Sequence, residues 1–207
     1  MSGVRSRLTA GSWAAAALDA LISDGVSAVA VEPLAVRLGA TKGSFYWHFA
    51  NRDALLAAAL ELWETRYNES IEAADEQPDP GRRLAFLFAD VVGSVASGSG
   101  SGSASGSASG DERSGEINLL AAADDPLVGP VLRRIAARRT DYLIDLFRQM
   151  GYSLGEARRR GLLAHQIYLG YLEMAARLPE LLPNGAAAQR HYVETVYAML
   201  TGPVDPS

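Results

Sequence analysis

The stretch Leu34–Phe49 constrains the fold more tightly than any other part of the chain. Leu34, Ala35 and Leu38 fall at i, i+1 and i+4, so a helix here has one apolar face. Gly39 follows the last apolar residue, where a helix commonly ends on a left-handed residue that glycine adopts without steric cost. Thr41 is placed to cap a second helix by accepting a backbone N–H from its first turn. In that second helix, expected to run through Phe49, the residues Phe45, Phe49 and part of Tyr46 turn inward. Lys42, Gly43 and Ser44 are left at its open N-terminus. Two short helices joined by a tight turn make a helix-turn-helix, whose second helix can enter the DNA major groove with its N-terminal residues foremost.

The run Thr41-Lys42-Gly43-Ser44-Phe45-Tyr46-Trp47-His48-Phe49, followed by Asn51-Arg52-Asp53-Ala54-Leu55-Leu56, resembles the DNA-binding signature of the TetR family of transcriptional regulators. The resemblance covers roughly residues 9 to 64. It implies an all-α fold, with an N-terminal three-helix DNA-binding domain and a C-terminal helical domain that binds ligand and dimerises. The expected domains are residues 1–52 and 53–207. By the same resemblance Tyr46, His48 and Arg52 match positions that contact the DNA backbone. The last two helices match the dimer-forming positions.

Chemistry at the tip adds its own assignments. Lys42 can donate to guanine O6 and N7, or touch phosphate alone. Ser44 can bond a base or a phosphate, Gly43 lets the backbone approach the duplex, and Arg37 is a phosphate candidate on the outer face of its helix. Trp47 is open to a thymine-methyl contact or to burial, and Tyr46 and His48 to packing as well as to DNA. The full interface expected is Arg37, Thr41, Lys42, Gly43, Ser44, Tyr46, Trp47, His48 and Arg52.

A net charge of −5 suits a DNA binder only once it is divided along the chain. Residues 1–52 carry +2, leaving −7 on the remainder, and from Pro33 to Arg52 there are three cations and no acid. One end can therefore meet phosphates while the body stays acidic.

Before the signature, Thr9 should cap a helix ending near Asp24, with Gly25 as its stop. Val31 cannot cap the next helix, and Pro33 suits its first turn. A long helix from Arg52 to about Ala73 is capped by Asn51 and joins the two parts. Pro78, Pro80 and Gly81 break it off. The next helix, Arg82 to Val95, is apolar around much of its circumference and is expected at the centre of the second domain. Ser97–Gly110 is pure Ser, Gly and Ala with seven alternating serines, which reads as flexible coil.

Helical pattern returns as a short helix from Glu116, then one over Leu127–Met150. Ser153 and Glu156 form a capping-box pattern opening a helix to Arg177, and a last helix covers Ala186–Leu200. Arg133, Arg134, Arg138 and Arg139 read as a basic run on an outer face, either a second nucleic-acid patch or a solvated, salt-bridged surface. Trp63, Phe86, Phe88, Tyr142, His165 and Tyr168 are the candidates for lining a ligand cavity, each of them open to a plain core role. The dimer candidates are Leu163, Ile167, Gly170, Met174, Tyr192, Val196 and Tyr197. Gly170 is taken to admit a close helix neighbour.

Zero cysteines exclude disulfides and thiolate metal sites. The histidines His48, His165 and His191 lack the spacing of a metal site, and no phosphate loop or nucleophile motif occurs, so no cofactor, no metal and no enzymatic activity are expected. No apolar run approaches a membrane span, and no secretory leader pattern is present, so a cytoplasmic location and no membrane partner are expected. The leading expectation is a homodimeric regulator, a repressor released from palindromic double-stranded operator DNA by a small apolar or aromatic effector. The alternative is a helical partner-binding or architectural protein without an effector.

Overall fold

A computed structural model describes residues 8–96 and 115–203; the Ser/Gly/Ala segment at 97–110 lies outside the described residues. Those described residues are all-helical: α1 Ala10–Asp24, α2 Val31–Arg37, α3 Lys42–Phe45, α4 Arg52–Asp75, α5 Pro80–Ala96, α6 Glu116–Ala121, α7 Val128–Gln149, α8 Leu154–Arg177 and α9 Ala186–Thr201. Short 3₁₀ turns at Val26–Ala28 and Pro179–Leu181 link α1 to α2 and α8 to α9.

The helix ends follow the sequence signals closely. Thr9 and Ser12 form a full capping box on α1. Gly25, with φ +81°, ends it. α2 starts on Ala30, which offers no capping side chain. Its far end is a Schellman turn: Gly39 at φ +61° donates to Val36 O at 3.1 Å, and Ala40 donates to Ala35 O at 2.8 Å. Thr41 and Asn51 cap α3 and α4 by accepting from Ser44 N and Ala54 N. α3 is shorter than the expected helix to Phe49. His48 N bonds Phe45 O three residues back at 2.9 Å, so the backbone winds into turns after one α-helical turn. At Ser153 only half of the capping box forms, because the Glu156 carboxylate turns to Arg159 and Arg160 instead.

One apolar core holds α1 to α4 together through Trp13, Leu18, Leu21, Leu34, Phe45, Leu55 and Leu56. It continues into the body through Leu119, Val128, Leu132 and Ile135. Trp13 meets Phe45 edge-on at 5.4 Å. A second cluster joins α5, α7, α8 and α9 around Leu84, Phe147, Ala164, Val196 and Leu200. Gly161 is where α8 closes on α7, since a Cβ there would lie 2.8 Å from Ile144 Cγ1. Gly170, expected to serve that purpose, has nothing within 4 Å of such a Cβ. α5 is not buried all round. Leu84, Phe88, Val91 and Val92 face inward, while Phe86 and Leu87 are half-buried and Ala89 is exposed.

Arg52 differs from expectation. Its guanidinium donates to Val29 O at 2.7 Å and Val26 O at 2.6 Å, stapling the 3₁₀ turn to the start of α4. Two of its nitrogens are engaged as a structural clamp, while Nη1 stays at the surface 3.5 Å from Asp53. Replacing Arg52 with Ala should lower folding stability by about 1–3 kcal/mol, because two partly buried carbonyls lose a charged donor; thermal denaturation of the two proteins would measure it.

Candidate nucleic-acid interface and cavity

Two places on the molecule carry chemistry. At one end, α2 and α3 present Arg37, Thr41, Lys42, Gly43, Tyr46, Trp47 and His48 to solvent, with Ser44 half-buried. Trp47 is 87 % exposed and Tyr46 is 57 % exposed, so the burial alternative fails for both. Tyr46 keeps only an edge-on contact with Phe45, at 5.1 Å between centroids. Phe45 is the fully buried anchor that fixes the tip, and Phe49 stacks on it.

The cations here are paired loosely. Arg37 reaches Asp19 at 3.2 Å, with both side chains at least half exposed. Lys42 Nζ bonds the Glu32 carboxylate, and that partner raises the Lys42 pKa while lowering that of Glu32. Such exposed pairs are worth little in water and yield readily to phosphate. Ser44 Oγ donates to Thr41 O at 2.7 Å and can still accept.

Residues 14–59 match the family model described as bacterial regulatory proteins, tetR family. This N-terminal stretch is similar to the DNA-binding part of TetR-family regulators. It is 40% identical over 62 residues to the tetracycline repressor protein class A from transposon 1721 of Escherichia coli, a match spanning 30% of this chain and 29% of that protein. The TetR-like architecture extends further than the sequence match. A transcriptional regulator from Rhodococcus sp. Rha1 superposes with a TM-score of 0.75 over 97% of this chain and 100% of its own, at 19% identity. A TetR-family transcriptional regulator from Streptomyces coelicolor does so at 0.72 over 92% and 95%, at 18% identity. At such identities the likeness is one of fold, and it covers the body as well as the head.

The second place is a cavity in that TetR-like body, with an empty volume of about 790 Å³ including its mouth. Trp63, Tyr67 and Ile71 of α4, Leu87, Phe88 and Val91 of α5, and Leu143, Ala164 and Tyr168 of α7 and α8 form most of its wall. Of the expected lining, Trp63, Phe88, Tyr142 and Tyr168 are there. Phe86 and His165 are not. Phe86 sits on the flank of α5 away from the cavity wall, and His165 is buried behind it.

Arg139 is the residue the sequence reading misplaced. It lines the cavity and is buried, rather than lying on a solvated face. Its Nη1 bonds Glu116 Oε1 at 2.5 Å, and its guanidinium lies over the rings of Tyr168 at 4.2 Å and Tyr67 at 5.0 Å. Tyr168 Oη donates to the other Glu116 oxygen at 2.8 Å. Burial works against the Arg139 charge, and the adjacent Glu116 more than restores it. The signal was present in spacing: Leu132, Ile135, Arg139, Leu143 and Leu146 share one helical stripe. Its neighbours Arg134 and Arg138 do face outward, both bound to Glu64 of α4, so they form the salt-bridged surface and not a nucleic-acid patch.

Thr140 Oγ1 donates to Ala136 O at 2.9 Å, so it must accept from His165 Nδ1–H at 2.8 Å. That leaves Nε2 as a bare, buried acceptor without a partner. Burial, with Arg139 nearby, pushes the His165 pKa down to about 4.

The dimer candidates divide. Leu163 and Gly170 are exposed, and Ile167 and Met174 are half-buried. Val196 is buried inside the protomer, Tyr192 packs on Tyr171 at 5.5 Å, and Tyr197 lies against Gly81 of α5. Val196 belongs to the protomer core, and Tyr192 and Tyr197 are half-buried against it. The outer face carries Leu162, 51 % exposed, and Met199, 73 % exposed, in their place. Arg160 was also unforeseen. It bonds Leu200 O and, at 2.8 Å, Gly202 O, closing the C-terminal end of α9.

Two outcomes follow from the buried groups. Replacing Glu116 with Ala strands the Arg139 charge and should cost about 3–5 kcal/mol in urea denaturation, with part of it restored by adding Arg139→Met. His165 stays neutral in the fold but titrates near its ordinary value of 6.5 when unfolded. The unfolded chain therefore binds the extra proton first, and stability should fall as pH drops from about 6.5 to about 4. His165→Gln should flatten that slope in pH-dependent denaturation.

Proposed function

We propose that this chain is a transcriptional regulator that binds double-stranded palindromic operator DNA as a homodimer and releases it when a small apolar or aromatic molecule enters the cavity. The observation that carries the reading is the TetR-family head itself, with Lys42, Gly43, Tyr46, Trp47 and His48 exposed together at its tip. In this reading residues 1–52 form the DNA-binding domain and 53–207 the ligand-binding and dimerisation domain. Lys42 donates to a guanine edge or an adjacent phosphate, Arg37, Thr41, Ser44, Tyr46 and His48 hold the backbone, and Trp47 lies against a thymine methyl. The outer faces of α8 and α9, with Leu162, Leu163, Ile167, Gly170, Met174 and Met199, meet their copies in a four-helix interface.

Regulation follows from differential binding. Two recognition helices reach successive major grooves only when they stand about 34 Å apart. A ligand preferring a differently spaced dimer lowers DNA affinity by the difference in its affinities for the two states. Two connections run from cavity to head. α4 lines the cavity with Trp63 and Tyr67 and enters the head core with Leu55 and Leu56. α6 holds Glu116 in the cavity wall while Asn118, two residues further on, donates to Ile22 O of α1 at 2.6 Å.

Lys42→Ala and Tyr46→Ala should each weaken operator binding at least tenfold in gel-shift titrations on DNA upstream of the gene, with folding and oligomeric state unchanged. Unaltered affinity in both variants would remove the docking assignment. No shift at low salt with the parent protein would favour a partner-binding helical protein instead.

A further inference from the structure

The cavity wall is chemically specific in a way its apolar bulk conceals. Its charged side chains are Arg66 and Arg139 against Asp90 and Glu116, two charges of each sign. The buried pair is saturated: Glu116 receives Arg139 on one oxygen and Tyr168 Oη on the other, and aromatic faces cover the guanidinium. An anionic ligand reaching Arg139 would have to displace Glu116 and leave a carboxylate buried without its cation. A cationic ligand reaching Glu116 would strand Arg139. Either costs far more than an ordinary hydrogen bond returns.

One polar group in the wall is unspent. Tyr67 is 8 % exposed, lines the cavity, and its Oη is sealed from solvent with no hydrogen-bond partner. The Arg139 guanidinium lies over its ring and close enough to act on its hydroxyl, but makes no hydrogen bond of normal geometry to it. A buried phenol without a partner is a standing cost that a ligand acceptor can relieve.

We propose that the cavity takes an uncharged, largely apolar or aromatic molecule bearing a carbonyl-type hydrogen-bond acceptor, and that Tyr67 Oη donates to that acceptor. This rests on reading the cavity as the effector site, and it adds the charge and the polar handle of the effector. Trp63, Phe88 and Val91 supply the apolar surface, and Tyr67 supplies orientation.

The test compares four soluble probes of one shape on the full-length protein at neutral pH: acetophenone, ethylbenzene, benzoate and benzylammonium. Dissociation constants come from ligand-observed NMR titration. Acetophenone should bind at least tenfold more tightly than either ion. Tyr67→Phe should weaken acetophenone by about three- to tenfold, the loss of one hydrogen bond, and leave ethylbenzene unchanged. The substitution removes an unpartnered hydroxyl and keeps the ring, so folding is retained. Tighter binding of benzoate or benzylammonium, an equal loss for acetophenone and ethylbenzene in Tyr67→Phe, or no saturable acetophenone binding would each overturn the proposal. A parallel gel-shift separates it from the broader reading. Tyr67-dependent acetophenone binding without operator release supports the ligand class and removes the effector role.

Discussion

A permanently charged guanidinium in an apolar interior constrains the body of this protein. Arg139 cannot shed its proton at any ordinary pH, so the fold must bring a counter-charge and aromatic faces to it. Glu116, Tyr67 and Tyr168 arrive from α6, α4 and α8 to do so. Their arrival fixes where α6 sits, and α6 in turn delivers Asn118 to the last carbonyls of α1. A Cβ at Gly115 would collide with Ile22, so only glycine lets α6 start this close to α1. The N-terminal head is thus tied to an electrostatic requirement deep in the other half of the chain.

That arrangement also explains why the molecule has no sharp division between its head and its body. The core around Phe45 and Trp13 continues through Leu119, Leu132 and Ile135. The side chains that position the tip therefore share one packed core with the body. The exposed ion pairs at the tip, Lys42 with Glu32 and Arg37 with Asp19, hold nothing together that DNA would have to break at great cost.

Local signals in the sequence were enough to read most of the architecture. Caps at Thr9, Thr41, Asn51 and Ser153 and the stops at Gly25 and Gly39 act over a few residues, and the structure uses all of them. What escaped was set by distant partners. Arg52 looks like a basic tip residue until Val26 O and Val29 O, more than twenty residues earlier, are seen to hold it. Arg139 sits in a run of arginines, and only its place on the stripe of Leu132 and Leu143 separates it from Arg138. Tyr192, Val196 and Tyr197 form an apolar face, but periodicity does not say whether α5 or a second copy covers it. In the structure α5 and α8 do.

α4 is a single uninterrupted helix of 24 residues, about 36 Å from end to end. A rod of that length magnifies small angles. Tilting it by about 5° at Trp63 or Tyr67 moves its N-terminal end by roughly 1–2 Å. On the function proposed above, a molecule wedged against Trp63 or Tyr67 would need to shift its walls only slightly for Asn51, and the tip packed beside it, to move against a rigid duplex.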